Sequence, residues 1–188
     1  VLNQDLDRRY LAFLSHSLLL GGIAALLTCG CALILVYANR LRDNLLTRIT
    51  VRIATLGYAL PGTVLAVGVF ILLSWLDSQL ITWANILFNW DTGLLLSGTL
   101  LAMLLAYLVR FLAVAHSPID SAMQRITPSV DEAARSLGSN GLRLLRRVHL
   151  PILRGGLLTA ATLVFVDVMK EMPITLMTRP FGWDTLSV

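Results

Sequence analysis

Long apolar stretches free of charge alternate along the chain with short segments dense in arginine. Tyr10–Asn39, Ile53–Leu76 and Thr92–Val109 contain no Asp, Glu, Lys or Arg. Each reaches the roughly 18 apolar residues that mark a membrane-crossing helix. As an α-helix, Ile53–Leu76 would rise about 36 Å, more than the ~30 Å hydrocarbon thickness of a bilayer. Lipid offers the backbone no hydrogen-bond partners, so these runs are expected to cross as helices. Four spans are predicted: about Ala12–Ala38, Ile53–Leu76, Gly93–Ala115 and Leu150–Met169. The fold class that follows is an all-α polytopic transmembrane helical bundle, with residues 1–188 forming one membrane domain.

Composition agrees with this pattern. Hydrophobic residues make up 56% of the 188, charged residues only 14%, and the mean hydropathy is +0.76. A soluble domain carries about a quarter charged residues. The basic residues also set an orientation. Arg40, Arg42, Arg48 and Arg52 follow the first span. Arg110, Arg125, Arg135, Arg143, Arg146, Arg147 and Arg154 flank or fill the segment between the third and fourth. Eleven of the fifteen Lys and Arg therefore fall on one side, which the positive-inside rule makes cytoplasmic. Asp77–Thr92 holds no Lys or Arg and lies on the outer side. Trp75, Trp83 and Trp90 gather there as an interfacial aromatic belt would. The net charge of +4 reflects this bias and not nucleic-acid binding, since the arginines sit at membrane boundaries.

Within the spans, Gly21, Gly22 and Ala25 form a small-residue face suited to helix packing. Pro61 and Gly62 interrupt the second span and are expected to kink it, and the backbone groups they free must be satisfied by neighbouring helices. Arg110 is expected to snorkel to the inner interface. Cys29 and Cys31 point to different helix faces and suggest neither a disulfide nor a metal site. His16, His116 and His149 stand isolated along the chain, so no metal cluster and no nucleophile–base pair is evident; His149 is expected to be structural. A P-loop needs Gly-Lys-Ser/Thr, whereas the single lysine, Lys170, follows Met169, which excludes an ATPase. No cofactor and no catalytic residue is predicted for this chain.

Between the third and fourth spans lies "DEAARSLGSNGLRLLRRVHLP", Asp131–Pro151. Val130, Ala133, Ala134 and Leu137 recur at i, i+3, i+4 and i+7, one stripe of a short amphipathic helix. Ser129 with Glu132 makes a capping-box pattern, and Thr127–Pro128 is a competing start. Gly138 has the place of a C′ residue, Asn140–Gly141 makes a turn, and Leu142, Leu145 and Val148 line a second helix. Pro151 fits the first turn of the fourth span. Two readings stand: a hairpin that only fixes topology, or a docking helix offering Asp131, Glu132 and Arg135 to a cytoplasmic partner.

This segment resembles the EAA signature of binding-protein-dependent ABC importer permeases. Glu132-Ala133-Ala134, Gly138 and Leu150-Pro151 keep its spacing, and Val148 stands where that pattern has Ile. "GYALPGTVLAVG", "IDSAMQRITPSVDEAARSLG" and "DVMKEMPITLMTRPFGWDTLSV" are most similar to permeases of ferric-iron importers, less so to those for thiamine or phosphonate. The resemblance covers the chain from about His16. It implies a permease in the inner membrane of a bacterium, with residues about 116–150 as a cytoplasmic coupling loop. The implied partners are an ABC ATPase dimer that uses ATP, a periplasmic or lipoprotein substrate-binding protein, the other permease half, and membrane lipid. The implied coupling positions are Asp131, Glu132, Ala133, Ala134, Arg135, Gly138, Leu150 and Pro151. The chain starts at Val1 rather than Met and reads as most of a second, C-terminal half, with a final span expected after Val188. A channel or non-transporting scaffold is the competing class.

At the outer end of the fourth span, Asp167, Lys170 and Glu171 put dense charge next to lipid. Asp167 and Lys170 are i, i+3 neighbours able to pair. The cluster is expected either to pin the span or to line an outer gate.

Overall fold

The computed structural model describes residues 2–41, 44–88 and 96–178. Every regular element among them is helical: α1 (Leu2–Leu41), α2 (Leu45–Thr55), α3 (Gly62–Phe88), α4 (Leu100–Gln124), α5 (Pro128–Ser136), α6 (Leu142–Lys170) and α7 (Met172–Thr178). Among the described residues, four stretches are long and apolar enough to cross a membrane: Phe13–Leu41, Gly62–Trp83, Leu100–Gln124 and Leu142–Lys170. The chain is thus a multi-pass, all-α membrane protein, as the apolar runs predict.

The core is a three-helix seam of α1, α4 and α6. Leu20, Ala24, Thr28, Ala32 and Val36 are all buried and recur every fourth residue, forming one ridge of α1. On α4 the buried line runs through Met103, Ala106, Tyr107, Phe111, Ala115, Ile119 and Met123; on α6 it runs through Leu153, Ala160, Val164 and Val168. Small residues let the backbones approach where lipid supplies no hydrophobic drive between helices. Gly156 is the tightest such point between α4 and α6: a Cβ there would lie 2.7 Å from Ala122 Cβ and 2.8 Å from the Pro118 carbonyl. The predicted glycine face of α1 is realised in part. A Cβ on Gly21 would touch Phe165 at 3.0 Å, and Ala25 is buried, but Gly22 faces open space. Cys29 and Cys31 are free thiols.

The second span departs most from expectation. Instead of one helix over Ile53–Leu76, the chain forms α2, a 3₁₀ turn at Leu56–Ala59, a break at Leu60–Pro61, and then α3. Leu60 is extended (ψ 144°), as a residue before proline must be, and α3 starts directly after Pro61. Pro61 and Gly62 therefore divide the span; they do not merely bend it. α2 opens with a capping box at Asn44 and Thr47 and buries none of its residues.

Asp77 lies inside α3 and not in a connecting loop. Its buried carboxylate accepts hydrogen bonds from the backbone N–H groups of Leu96 (2.8 Å) and Ser97 (2.6 Å), which ties α3 to the start of α4. Thr99 then caps α4, so the third span begins at Leu100 and runs to Gln124, well beyond Ala115. Trp75 and Trp83 are exposed on α3; Trp90, Asp91, Gly93, Arg42 and residues 179–188 lie outside the described residues.

Candidate functional site

The hairpin at the arginine-rich end is built from α5 and the start of α6. α5 begins at Pro128 with Thr127 as N-cap, so the Thr127–Pro128 start is the one taken and Ser129 falls inside the helix. At its other end Gly138 adopts φ +80°. Its N–H donates to Arg135 O (2.9 Å), and the Ser139 N–H donates to Ala134 O (2.9 Å). These crossed bonds are a Schellman motif, which requires the left-handed conformation that glycine adopts without strain. Gly141 also has positive φ (+51°), and its carbonyl accepts from Tyr37 Oη of α1 (2.8 Å).

α6 starts as a single α-turn (Leu142–Leu144), passes through a π turn at Leu145–His149, and continues as α-helix over Leu150–Lys170. Pro151 stands just past the π turn, where its missing N–H and the crowding of its ring are absorbed by the change of pitch. The extra residue in the turn keeps both Leu144 and Leu153 in the core and turns His149 fully inward, while Arg146 and Arg147 stay exposed. Leu150 and Pro151 are also exposed.

α5 does not present the stripe its periodicity predicts. Its inner face is Val130, Asp131 and Ala134; Ala133 and Leu137 point outward with Glu132, Arg135 and Gly138. Leu137 is 86% exposed. The reason is electrostatic. Asp131, 6% exposed, accepts from Arg40 Nε (3.1 Å to Oδ2), and its Oδ1 lies 2.7 Å from His149 Nε2. An ionised carboxylate only accepts, so His149 Nε2 carries the hydrogen. Asp131 is therefore not offered to a partner; it is tied to α1 and α6. Arg40 Nη2 donates also to Ile126 O (2.7 Å), and the Tyr37 ring meets His149 edge-on at 5.6 Å. His149, Arg40 and Tyr37 form this cluster with Asp131, the Arg40–Asp131 pair alone joining residues 91 apart. Among them only His149 carried a sequence signal, a lone histidine amid arginines.

Burial by itself would raise the Asp131 carboxyl, but the hydrogen bonds from His149 and Arg40 outweigh it and hold it below the ordinary carboxylate range. A carboxyl depressed in the fold adds stability above its unfolded value and loses it as pH falls through the folded one. Acid unfolding of the protein in detergent is thus expected to lose part of its pH dependence in Asp131→Asn. Identical acid limbs in variant and wild type would refute the pairing.

A second polar cluster surrounds the break in the second span. Arg110 Nη1 donates to Leu60 O, its guanidinium lies 5.5 Å from the centre of the Tyr58 ring, and its Nε is 3.9 Å from Glu171 Oε2. Tyr107 Oη and Thr175 Oγ1 lie 2.6 Å apart beneath it, fastening α7 to α4. Arg110 does not snorkel. It stands ten residues from Leu100 and fourteen from Gln124, roughly 15 and 21 Å from the two ends of α4. The charge at the end of α6 is likewise rearranged. Glu171 pairs with Arg110, while Asp167 and Lys170 form no ion pair with each other. Among the described residues no three His, Cys, Asp or Glu side chains converge.

The family of binding-protein-dependent transport system inner membrane components matches residues 17–183, and the chain belongs to it. It is similar to the Fe(3+)-transport system permease protein FbpB 2 of Haemophilus influenzae, with 30% identity over 179 residues, covering 95% of this chain and 32% of that protein. It is also similar to the putative 2-aminoethylphosphonate transport system permease protein PhnV of Salmonella typhimurium, with 34% identity over 93 residues, covering 50% of this chain and 35% of that protein. The chain spans about a third of the length of these curated relatives.

Proposed function

We propose that this chain forms part of the translocation pathway of an ATP-driven importer and receives the drive through α5. ATP is bound and hydrolysed by a separate ATPase dimer, and a substrate-binding protein delivers cargo at the opposite face. The arginine-rich end is cytoplasmic, in the inner membrane of a bacterium, and the other permease half completes the pathway. The observation that supports this most is the two-sided construction of α5. Glu132, Ala133, Arg135 and Leu137 are presented outward on a helix whose inner face is fixed by buried bonds. An exposed leucine beside a carboxylate and a small alanine suits a cleft in a protein partner, and a merely topological anchor needs none of it.

The cargo proposed is ferric iron, because the match to the iron permease runs along 95% of the chain while the match to the phosphonate permease covers half. Equilibrium binding of Fe(III) and of phosphonates by the partner binding protein decides between them. The docking role is tested in the full-length protein. Glu132→Lys is expected to weaken capture of the ATPase by about 2 kcal/mol, roughly 30-fold, as at an interface hot spot. Gly138→Leu, forced into a left-handed backbone, tilts the docking face and abolishes uptake. Membrane insertion is unchanged in both. Normal uptake by both variants would point to a channel or scaffold.

A further inference from the structure

We infer that Asp131, Arg40 and His149 are the transmission joint of this protein: motion imposed on α5 enters the membrane helices through the two bonds of the Asp131 carboxylate. The inference rests on the reading of α5 as the ATPase-docking helix, and it assigns Arg40, outside the EAA pattern, and His149, at the position within it between Val148 and Leu150, as positioning residues.

The two faces of α5 carry separate groups. Glu132, Ala133, Arg135 and Leu137 face outward, whereas Asp131 is buried between α1 and α6. Arg40, in the last turn of α1, bonds both Asp131 Oδ2 (3.1 Å) and the Ile126 carbonyl (2.7 Å) at the joint between α4 and α5. His149, fully buried at the end of the π turn, holds Oδ1 (2.7 Å) at the point where α6 becomes regular. Tyr37, one turn before Arg40, packs edge-on against His149 and bonds the Gly141 carbonyl at the hairpin turn. The last turns of α1, the whole of α5 and the start of α6 are thereby cross-linked by four hydrogen bonds.

A buried carboxylate cannot give up its partners without leaving a charge uncompensated. α5 therefore moves together with the ends of α1 and α6, and these are two of the three helices that form the core seam. A rigid shift of α5 becomes a shift of the bundle. An open pocket of about 420 Å³ lies beside Arg40, lined also by Asn39, Arg48 and Asp120.

The test uses the full-length permease with its ATPase and binding protein in proteoliposomes. ATPase capture, basal ATP hydrolysis and binding-protein-stimulated hydrolysis are measured for Asp131→Asn, His149→Leu, His149→Gln and the apolar triple variant Arg40→Met/Asp131→Leu/His149→Met. Glu132→Lys serves as the docking control. The expected result is that the variants other than Glu132→Lys capture the ATPase as wild type does. Asp131→Asn, His149→Leu and the triple variant lose stimulated hydrolysis about tenfold, within the range of ordinary allosteric couplings. His149→Gln, whose amide can still donate to Asp131, recovers most of it. The triple variant removes every charge and keeps the packing, so it separates transmission from folding. Wild-type stimulation in the triple variant, or loss of ATPase capture by Asp131→Asn, overturns the inference. Normal capture by Glu132→Lys overturns instead the docking reading beneath it.

Discussion

Arg110→Gln is expected to destabilise the protein by about 1.5–3 kcal/mol, as loss of a charged hydrogen-bond donor does. The substitution leaves the Glu171 carboxylate, with a side chain 12% exposed, without its counter-charge at 3.9 Å. It also takes the donor from the Leu60 carbonyl, which the break after the 3₁₀ turn has removed from any helical ladder. Lipid cannot replace either partner. Glu171→Gln should cost less, because Arg110 keeps both the Leu60 carbonyl and the face of the Tyr58 ring. The double variant Arg110→Gln/Glu171→Gln should recover part of the single loss, because no charge then remains unpaired. Thermal unfolding of the four proteins in nanodiscs measures this cycle. A cost below about 1 kcal/mol for Arg110→Gln would place the guanidinium in water, as a snorkelling residue, and contradict the structure.

The positions of the spans were legible because charge-free runs of this length have one stable solution in lipid. The break was legible only as a warning. Pro61–Gly62 marks a place where backbone groups are freed, but nothing local says whether the helix bends or stops. The answer depends on Arg110, 50 residues away, which supplies the hydrogen bond that a continuous helix would have supplied itself. Reading Arg110 as an interfacial arginine followed from its place near the end of a charge-free run, and that run begins before the helix does. The third span starts at Leu100 because Thr99 caps it and Asp77 holds the turn before it, and neither contact is visible in hydropathy.

The hairpin divides in the same way. Gly138, the Asn140–Gly141 turn and the Thr127–Pro128 start are local chemistry, and all three are realised. Which face of α5 turns inward is not local. The apolar stripe Val130, Ala133, Ala134 and Leu137 predicts one answer, and a single buried carboxylate rotates it, keeping Val130 and Ala134 inside and turning Ala133 and Leu137 out. Asp131 has partners 91 and 18 residues away, and two charge-assisted bonds outweigh the burial of one leucine at the end of the helix. A carboxylate within an apolar stripe, next to a lone histidine at the head of a span, is the pattern that points to such a pairing.

Gly57→Ala is the second large effect expected, and it probes the break from the side of packing. A Cβ at this position would fall 2.0 Å from the Val109 carbonyl oxygen and 2.9 Å from its carbon. Both are backbone atoms of α4, so no rotamer change can relieve the contact; the 3₁₀ turn must move away from α4. That movement draws the Leu60 carbonyl off Arg110, which follows Val109 directly. Overpacking of this kind costs about 1–3 kcal/mol, and the lost hydrogen bond to a charged donor adds about 1.5–3 kcal/mol. Gly68→Ala is the control in the same span. A Cβ there meets nothing within 4 Å, and alanine in a helix interior gains up to about 1 kcal/mol over glycine. The two substitutions make the same chemical change eleven residues apart, so their difference in unfolding free energy isolates the contact with α4. Because Gly57 and Arg110 hold the same turn, Gly57→Ala should cost less in an Arg110→Gln background than in the wild type. Equal costs in both backgrounds would mean that the turn is held by packing alone and that the hydrogen bond from Arg110 contributes nothing to closing the break.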